Sequence, residues 1–278
     1  METIINGFKT NRAFAVTSVL VPCLLLIAIA APVIAPYDPT HAAMKDAFLE
    51  PGAQHLFGTD KLGRDCFSRV LYGARASLTG VLVLVASVFV VGTTMGVVSG
   101  YFGGKVDMVI MRISDMMISF PGMILAIAIA GIMGGSLVNA VFALTIVSWT
   151  KYARLSRSMV LKVKRRDFVE AAIVNGGTPG HILWVHILPN ILPMMVITAA
   201  ADIGALMMEL AGLSFLGFGS QPPAPEWGLM LNEGRQQLQT APWLMFFPGL
   251  AIFVTVVVFN LWGDNLRDVL DPRGDVED

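Results

Sequence analysis

Five long stretches without a charged side chain constrain this chain more than any other feature of its sequence. A helix needs about 20 mostly apolar residues to cross the hydrocarbon core of a bilayer. Charged residues make up 14% of the 278 residues, whereas a soluble domain carries roughly a quarter. The chain is therefore predicted to lie in a membrane. The charge-free stretches are Ala13–Tyr37, Ala76–Gly104, Met116–Thr150, Ala171–Ala201 and Gln236–Gly263.

The third stretch is long enough for most of two spans, with Gly134-Gly135 as the turn between them. We therefore predict an all-α integral membrane protein with six transmembrane helices. Lys and Arg concentrate in the segments that are cytoplasmic if both termini lie inside, which favours an N-in, C-in orientation. Pro121 is expected to kink the third span. The spans are placed near residues 15–35, 78–100, 113–133, 137–157, 191–217 and 243–263.

A basic segment between the fourth and fifth spans is too polar to cross the bilayer. Asp167 and Glu170 stand three residues apart, as the N-cap and N3 residues of a capping box do, and predict a helix start at this point. Gly176 is expected to end that helix, because glycine readily adopts the left-handed C-cap conformation. Thr178 and Pro179 then predict a second helix start. One side of the first helix is apolar, with Phe168, Val169, Ala172 and Ile173.

This helix–glycine–helix unit has two interpretations from its residues alone. It is either a loop lying on anionic lipid headgroups or a surface offered to a soluble partner. The stretch from Glu170 to Pro189 resembles the EAA signature of ABC-importer permeases. His186 departs from the general signature, which has Ile there, but suits the peptide-type subfamily. The signature positions that match are Glu170, Ala171, Ala172, Gly176, Leu188 and Pro189.

The resemblance extends over nearly the whole chain, to the second permease of the peptide/opine/nickel uptake family. It implies a type I ABC-importer permease fold in a bacterial or archaeal plasma membrane. It also implies three kinds of partner besides lipid: a homologous permease, two ABC ATPase subunits and an extracytoplasmic substrate-binding protein. The segments that carry it, besides the EAA unit, are His55–Leu78, Gly100–Asp107, Met111–Pro121, Leu213–Leu231 and Phe259–Arg273.

By the same resemblance the EAA unit couples the permease to its ATPase. The Glu170 carboxylate would help to hold the loop, and Phe168 and Ala172 would sit in the ATPase cleft. The coupling residues are then Asp167, Phe168, Glu170, Ala171, Ala172 and Gly176. The chain divides into an anchor helix (1–36), an extracytoplasmic loop with an interfacial helix (37–76), a type-1 transmembrane domain (77–263, with the coupling loop at 159–190) and a cytoplasmic tail (264–278).

No catalytic, cofactor or nucleic-acid function is predicted. The segment Ser99–Val106 is the nearest approach to a phosphate-binding loop, but it lacks the first Gly and the Ser or Thr that binds magnesium. The net charge of −1 gives no indication of nucleic-acid binding. No metal site is predicted either, because two of the four histidines fall in the outer loop and two in the cytoplasmic unit: His41, His55, His181 and His186.

Asp202 and Glu209 are the candidate pathway residues. They lie seven positions apart and therefore share one face of the fifth span. Carboxylates at membrane depth usually face a cavity or a partner, so they either attract a cationic cargo or accept hydrogen bonds from a neighbouring helix. An intramembrane acid pair is disfavoured, because about 10 Å separates them along the helix. Arg112 and Asp115 are expected to pair with each other on the third span.

The cargo is expected to be nickel or a nickel chelate. The segments Ser148–Ser158, Ala201–Gly217 and Asn232–Leu250 resemble nickel-uptake permeases more than dipeptide permeases. A di- or oligopeptide importer is the alternative. An ATP-independent secondary carrier is a further one, although it would not explain the EAA unit.

Overall fold

The computed structural model describes residues 12–270, and the regular structure in this range is helical. Lys9 and residues 271–278 of the predicted cytoplasmic tail lie outside the described residues. Two 3₁₀ turns, Met44–Asp46 and Arg235–Gln237, lie in the loops, and a turn at Pro179–His181 and a π-helical segment at Ile182–Ile187 lead into α7. The longer helices are α1 (Arg12–Ile34), α2 (Cys66–Phe102), α3 (Gly104–Ile118), α4 (Gly122–Met133), α5 (Leu137–Lys164), α6 (Asp167–Val174), α7 (Leu188–Phe215), α8 (Trp227–Gly234) and α9 (Trp243–Leu270).

Four of the described helices are long and apolar enough to cross a bilayer: α1, α2, α7 with its lead-in (Pro179–Phe215), and α9. The bent pair α3 and α4 makes a fifth if it is counted as one span. With 28 residues α5 is also long enough, but its basic residues from Lys151 onward make it less apolar. The all-α membrane architecture is confirmed. The count of six spans and the N-in, C-in orientation stay predictions.

The predicted third span is broken rather than kinked. Helix α3 ends at Ile118 and α4 begins at Gly122, and the two axes are bent by 94°. Proline lacks a backbone N–H, and its ring excludes the preceding residue from the helical region. Pro121 therefore prevents Phe120 from continuing α3, which is why a single helix over 113–133 was a wrong prediction.

The predicted interfacial helix before the second span was also wrong. Helix α2 begins at Cys66 and continues through Phe102 for 37 residues, without a break near residue 77. Asp65 caps it, since its side chain accepts the backbone N–H of Ser68 at 2.7 Å. At 1.5 Å per residue the helix is about 55 Å long, so its first turns project beyond the hydrocarbon core.

A buried charge network fixes this outer end of α2 to α8. The side chains of Arg64 and Arg69 are each 1% exposed. Glu233 binds both: Oε1 accepts from Arg64 Nη2 at 3.0 Å, and Oε2 accepts from Arg69 Nη2 at 2.7 Å. Asp60 accepts from Arg64 Nε at 2.6 Å. Two cations and two carboxylates therefore neutralise one another where water is excluded.

Helices α2 and α5 approach each other closely along a row of glycines. A Cβ placed on Gly92 would lie 2.5 Å from the Trp149 carbonyl oxygen, and one on Gly96 would lie 1.9 Å from Ser156 Oγ. Gly100 meets Val160 in the same way. Small residues let helix backbones pack tightly in a membrane, where dispersion contacts replace the hydrophobic effect as the source of association. This contact holds α5 in a fixed position.

Candidate functional site

Helix α6 begins one residue earlier than the capping-box pattern predicts. Arg166, with extended backbone angles, is the N-cap, and no side chain caps the helix there. Asp167 is the first helical residue, so the predicted N-cap role of its carboxylate was wrong. Asp167 and Glu170 instead stand in the first turn, where negative charge interacts favourably with the positive end of the helix dipole.

The end of α6 agrees with the prediction. The helix stops at Val174, and Gly176 follows with φ at +78°, in the left-handed region that glycine tolerates. The Thr178 hydroxyl oxygen accepts the backbone N–H of His181 at 3.4 Å and caps the next helical turn, with Pro179 at its start. The sharp return of the chain brings the π-helical segment beneath α6.

The apolar residues of α6 point in two directions. Val169 is fully buried in a small cluster with Val97 of α2, Val160 of α5, Ile182 and Ile187 of the π-helical segment and Ile191 of α7, and Ala172 packs against the same cluster. Phe168 and Ile173 face outward, 44% and 45% exposed. Ala172 therefore faces the chain's own helices, unlike the predicted outward position in an ATPase cleft. Helix α6 is seated on the ends of α2 and α5 through one side and leaves the other side open.

The Glu170 side chain is exposed and forms no ion pair or hydrogen bond with the described residues. It does not hold the loop from within. Exposed Ala171 stands next to it. The open side of α6 thus combines a carboxylate, an alanine and two large apolar side chains, a surface suited to a protein groove.

A second candidate site is a polar pocket of about 210 Å³ between α5 and α7. Lys151 Nζ donates to both Asp202 oxygens, at 2.7 and 2.8 Å. Each residue is halfway along a 28-residue helix, so each lies about 20 Å from the helix ends. The pocket is lined by Ser148, Thr150, Lys151, Tyr152, Asp202, Ala205, Leu206 and Glu209.

Glu209 lines the same pocket and lies about two turns after Asp202 on α7. Ser148, Lys151 and Asp202 line the pocket together with it. Tyr152 is 1% exposed and lies beside Asp202. Its hydroxyl makes no hydrogen bond of ordinary geometry with the described residues. The structure therefore joins the two carboxylates predicted from sequence and adds Lys151, Tyr152 and Ser148, which sequence reasoning did not assign to this site.

The exposure of this pocket limits what can surround it. The Lys151 side chain is 63% exposed and that of Asp202 is 16% exposed. Charged groups at the middle of a bilayer face water or protein rather than hydrocarbon, because exposure to lipid tails is costly. If the predicted spans 137–157 and 191–217 hold, the pair lies within the membrane, and this face of α5 and α7 would need an aqueous space or another protein chain against it.

Two further ion pairs connect α5 to α3 nearer the predicted cytoplasmic side. Arg157 donates to both oxygens of Asp107, at 2.5 and 2.6 Å. Arg154 Nη2 donates to Asp115 at 2.6 Å. The spacing along α3 predicted a pair between Arg112 and Asp115. That prediction was wrong, because Asp115 pairs with Arg154 of α5 instead. These bonds fix α3 against α5 despite the break at Pro121.

Residues 92–275 match the model of a family described as "binding-protein-dependent transport system inner membrane component". The chain belongs to this family. It is a permease subunit of an ABC importer and a multi-pass protein of the inner membrane. The permease is not itself an enzyme, since ATP hydrolysis in such importers belongs to separate subunits.

Three curated relatives illustrate the range of the family. A dipeptide transport system permease of Alkalihalophilus pseudofirmus is 43% identical over 265 residues, covering 95% of this chain and 87% of the relative. A nickel transport system permease of Escherichia coli is 39% identical over 269 residues, covering 96% and 97%. A glutathione transport system permease of Pectobacterium atrosepticum is 46% identical over 253 residues, covering 90% and 84%.

Solved structures support the fold. A chain of the MetNI methionine ABC transporter in an inward-facing conformation superposes with a TM-score of 0.59 at 21% identity, over 73% of the permease and 97% of that chain. At this identity the likeness concerns the fold alone. The predicted ABC-importer permease fold is confirmed.

Proposed function

We propose that the permease forms half of a translocation pathway for small peptides, with the face of α5 and α7 around Asp202 as its wall. The observation that carries this proposal is the Lys151–Asp202 pair, which is exposed halfway along α5 and α7 and lies within the predicted fourth and fifth spans. A charged pair at this depth requires an aqueous space or a protein partner. A second, homologous permease across that space would complete the pathway.

The chemistry of the pocket favours a peptide over a nickel ion. Nickel is commonly bound through imidazole nitrogen, and the pocket offers only carboxylate, hydroxyl and lysine groups. Among residues 12–270 no group of three His, Cys, Asp or Glu side chains is placed to hold a metal ion. Relatives named for dipeptide and glutathione transport are at least as similar as the one named for nickel.

Nickel, or a nickel chelate, is the second candidate cargo. The nickel permease relative matches over 97% of its own length, and a chelate would not need metal ligands from the permease. An extracytoplasmic binding protein that selects the cargo is compatible with either candidate.

We also propose that α6 is the element that an ATPase subunit grips. Its inner side is fixed by Val169 to the ends of α2 and α5, so a displacement of α6 would move those helices with it. Its open side presents Phe168, Glu170 and Ala171 to the cytoplasm. Two such ATPase subunits would serve the two permeases.

The proposed function is tested by uptake in cells with and without this gene, using radioactive dialanine and, separately, trace radioactive nickel. A peptide permease should restore dialanine uptake, and Asp202→Asn should abolish most of it in a complex that assembles normally. Asp115→Asn serves as the matched control, because that carboxylate pairs with α5 outside the pocket. Nickel uptake that excess dialanine does not reduce would support the second candidate. Unchanged dialanine uptake in Asp202→Asn would refute the pathway assignment.

A further inference from the structure

The pocket around Asp202 contains the ammonium group of Lys151, which lies where a cationic part of the cargo would bind. We propose that the Asp202 carboxylate binds one ammonium group of the cargo, and that the Lys151 ammonium occupies this place until cargo displaces it. The proposal rests on the proposed function, since it names the part of a peptide that the pathway recognises.

The geometry of the pair fits a replaceable occupant. Lys151 Nζ contacts both oxygens of Asp202, the position that any ammonium would take. Its side chain is 63% exposed, whereas Asp202 is 16% exposed. The carboxylate is therefore held by the protein, while the ammonium stands on a flexible, largely free stem that loses few contacts when it swings away.

The charges of the pocket leave room for one more cation. Asp202 and Glu209 carry two negative charges and Lys151 one positive charge, and the other lining residues are neutral. An incoming ammonium would balance the remaining charge. Glu209 lines the same pocket and offers the displaced Lys151 ammonium a second carboxyl group. The exchange therefore need not leave any charge unpaired at membrane depth.

The Tyr152 hydroxyl is a further polar group beside the Asp202 carboxylate. It is buried beside Asp202 and lacks a hydrogen bond of ordinary geometry within the described residues. Buried hydroxyls are normally satisfied. An ammonium has three N–H donors, so one bound at Asp202 could donate a further hydrogen bond to the Tyr152 oxygen.

The experiment measures binding to the complete transporter, permeases with ATPases, in nanodiscs without nucleotide or binding protein. The probes are radioactive dialanine and N-acetyl-dialanine, which lacks the ammonium. We expect dialanine to bind roughly 10- to 100-fold more tightly. Asp202→Asn should remove this preference, and Asp115→Asn should keep it. Lys151→Met should bind dialanine several-fold more tightly than the wild type, with N-acetyl-dialanine unchanged.

The outcomes separate this proposal from the proposed function. Equal binding of the two probes, or no saturable dialanine binding, overturns the ammonium site even if cells take up dialanine. Weaker dialanine binding to an assembled Lys151→Met transporter overturns the displacement step, because a competitor was removed. If that variant does not assemble, Tyr152→Phe decides: an unchanged preference for dialanine overturns the proposal, and a reduced one supports it. Equal dialanine uptake by cells with and without this gene would instead refute the proposed peptide function.

Discussion

Gly96→Ala should destabilise the permease although it adds a single methyl group. The added Cβ would lie 1.9 Å from Ser156 Oγ and 2.1 Å from the Ala153 carbonyl oxygen. Such contacts must open by more than 1 Å before they reach ordinary packing distances of 3.4 Å and above, and closely packed helices resist this displacement. The second contact is with backbone, so no change of rotamer relieves it.

The expected cost is about 3 kcal/mol or more, the upper end for overpacking a tight site. Against it stands a gain of at most about 1 kcal/mol from replacing glycine by alanine in a helix. Gly249→Ala in α9 is the matched control, because the nearest atom to its added Cβ, Leu231 Cδ2, is 3.8 Å away. That variant should be as stable as the wild type or slightly more so.

The assay is thermal unfolding of the purified transporter in nanodiscs, with assembly checked by size-exclusion chromatography. Ser156→Gly added to Gly96→Ala removes the hydroxyl contact but leaves the Ala153 carbonyl in place, so it should restore only part of the lost stability. Equal midpoints for Gly96→Ala and Gly249→Ala would refute the reasoning. Complete rescue by Ser156→Gly would show that the backbone contact does not limit the approach of the helices.

Two other substitutions follow from buried contacts and can be measured in the same way. Glu233→Gln should cost about 3 to 5 kcal/mol, because it leaves Arg64 and Arg69 buried with one carboxylate between them; exposed Arg235→Gln is the control, and equal midpoints would contradict the network's role. Val169→Ala should lower stability by roughly 1 to 3 kcal/mol, whereas exposed Phe168→Ala should change it by less than about 0.5 kcal/mol while reducing ATP-driven uptake. Normal uptake by Phe168→Ala would show that the Phe168 side chain is not part of the proposed ATPase contact.

The membrane class and the helix ends were predictable because they depend on local chemistry. Charge-free stretches placed most of the helices, and the Gly176 and Thr178 signals marked the end of α6 and the next helix start. The break at Pro121 was predicted only as a kink. The sequence shows that Pro121 lacks a backbone N–H, but the 94° bend depends on how the surrounding helices pack. The extension of α2 back to Cys66 was missed because its first turns are amphipathic, like a separate interfacial helix.

The contacts between distant segments were harder to predict. Lys151 and Asp202 are 51 positions apart, and only the packing of α5 on α7 makes them neighbours. The Gly92, Gly96, Gly100 spacing was a usable signal, because small residues every four positions mark a close helix contact in membranes. The spacing predicts that another helix packs closely on α2, but it does not identify that helix as α5.

Helix α5 connects the two candidate sites. One face carries Lys151 into the polar pocket, another packs on the glycines of α2, and its last turns bear Val160, on which Val169 of α6 rests. A force on α6 therefore reaches the pocket through a helix that cannot separate from α2 without losing its closest contacts. Because Arg157 also ties α5 to Asp107 of α3, the cytoplasmic ends of the three helices should move as one body. A displacement of that body relative to the middle of α7 would change the Lys151–Asp202 distance, so a motion driven through the proposed ATPase contact would also open or close the proposed ammonium site.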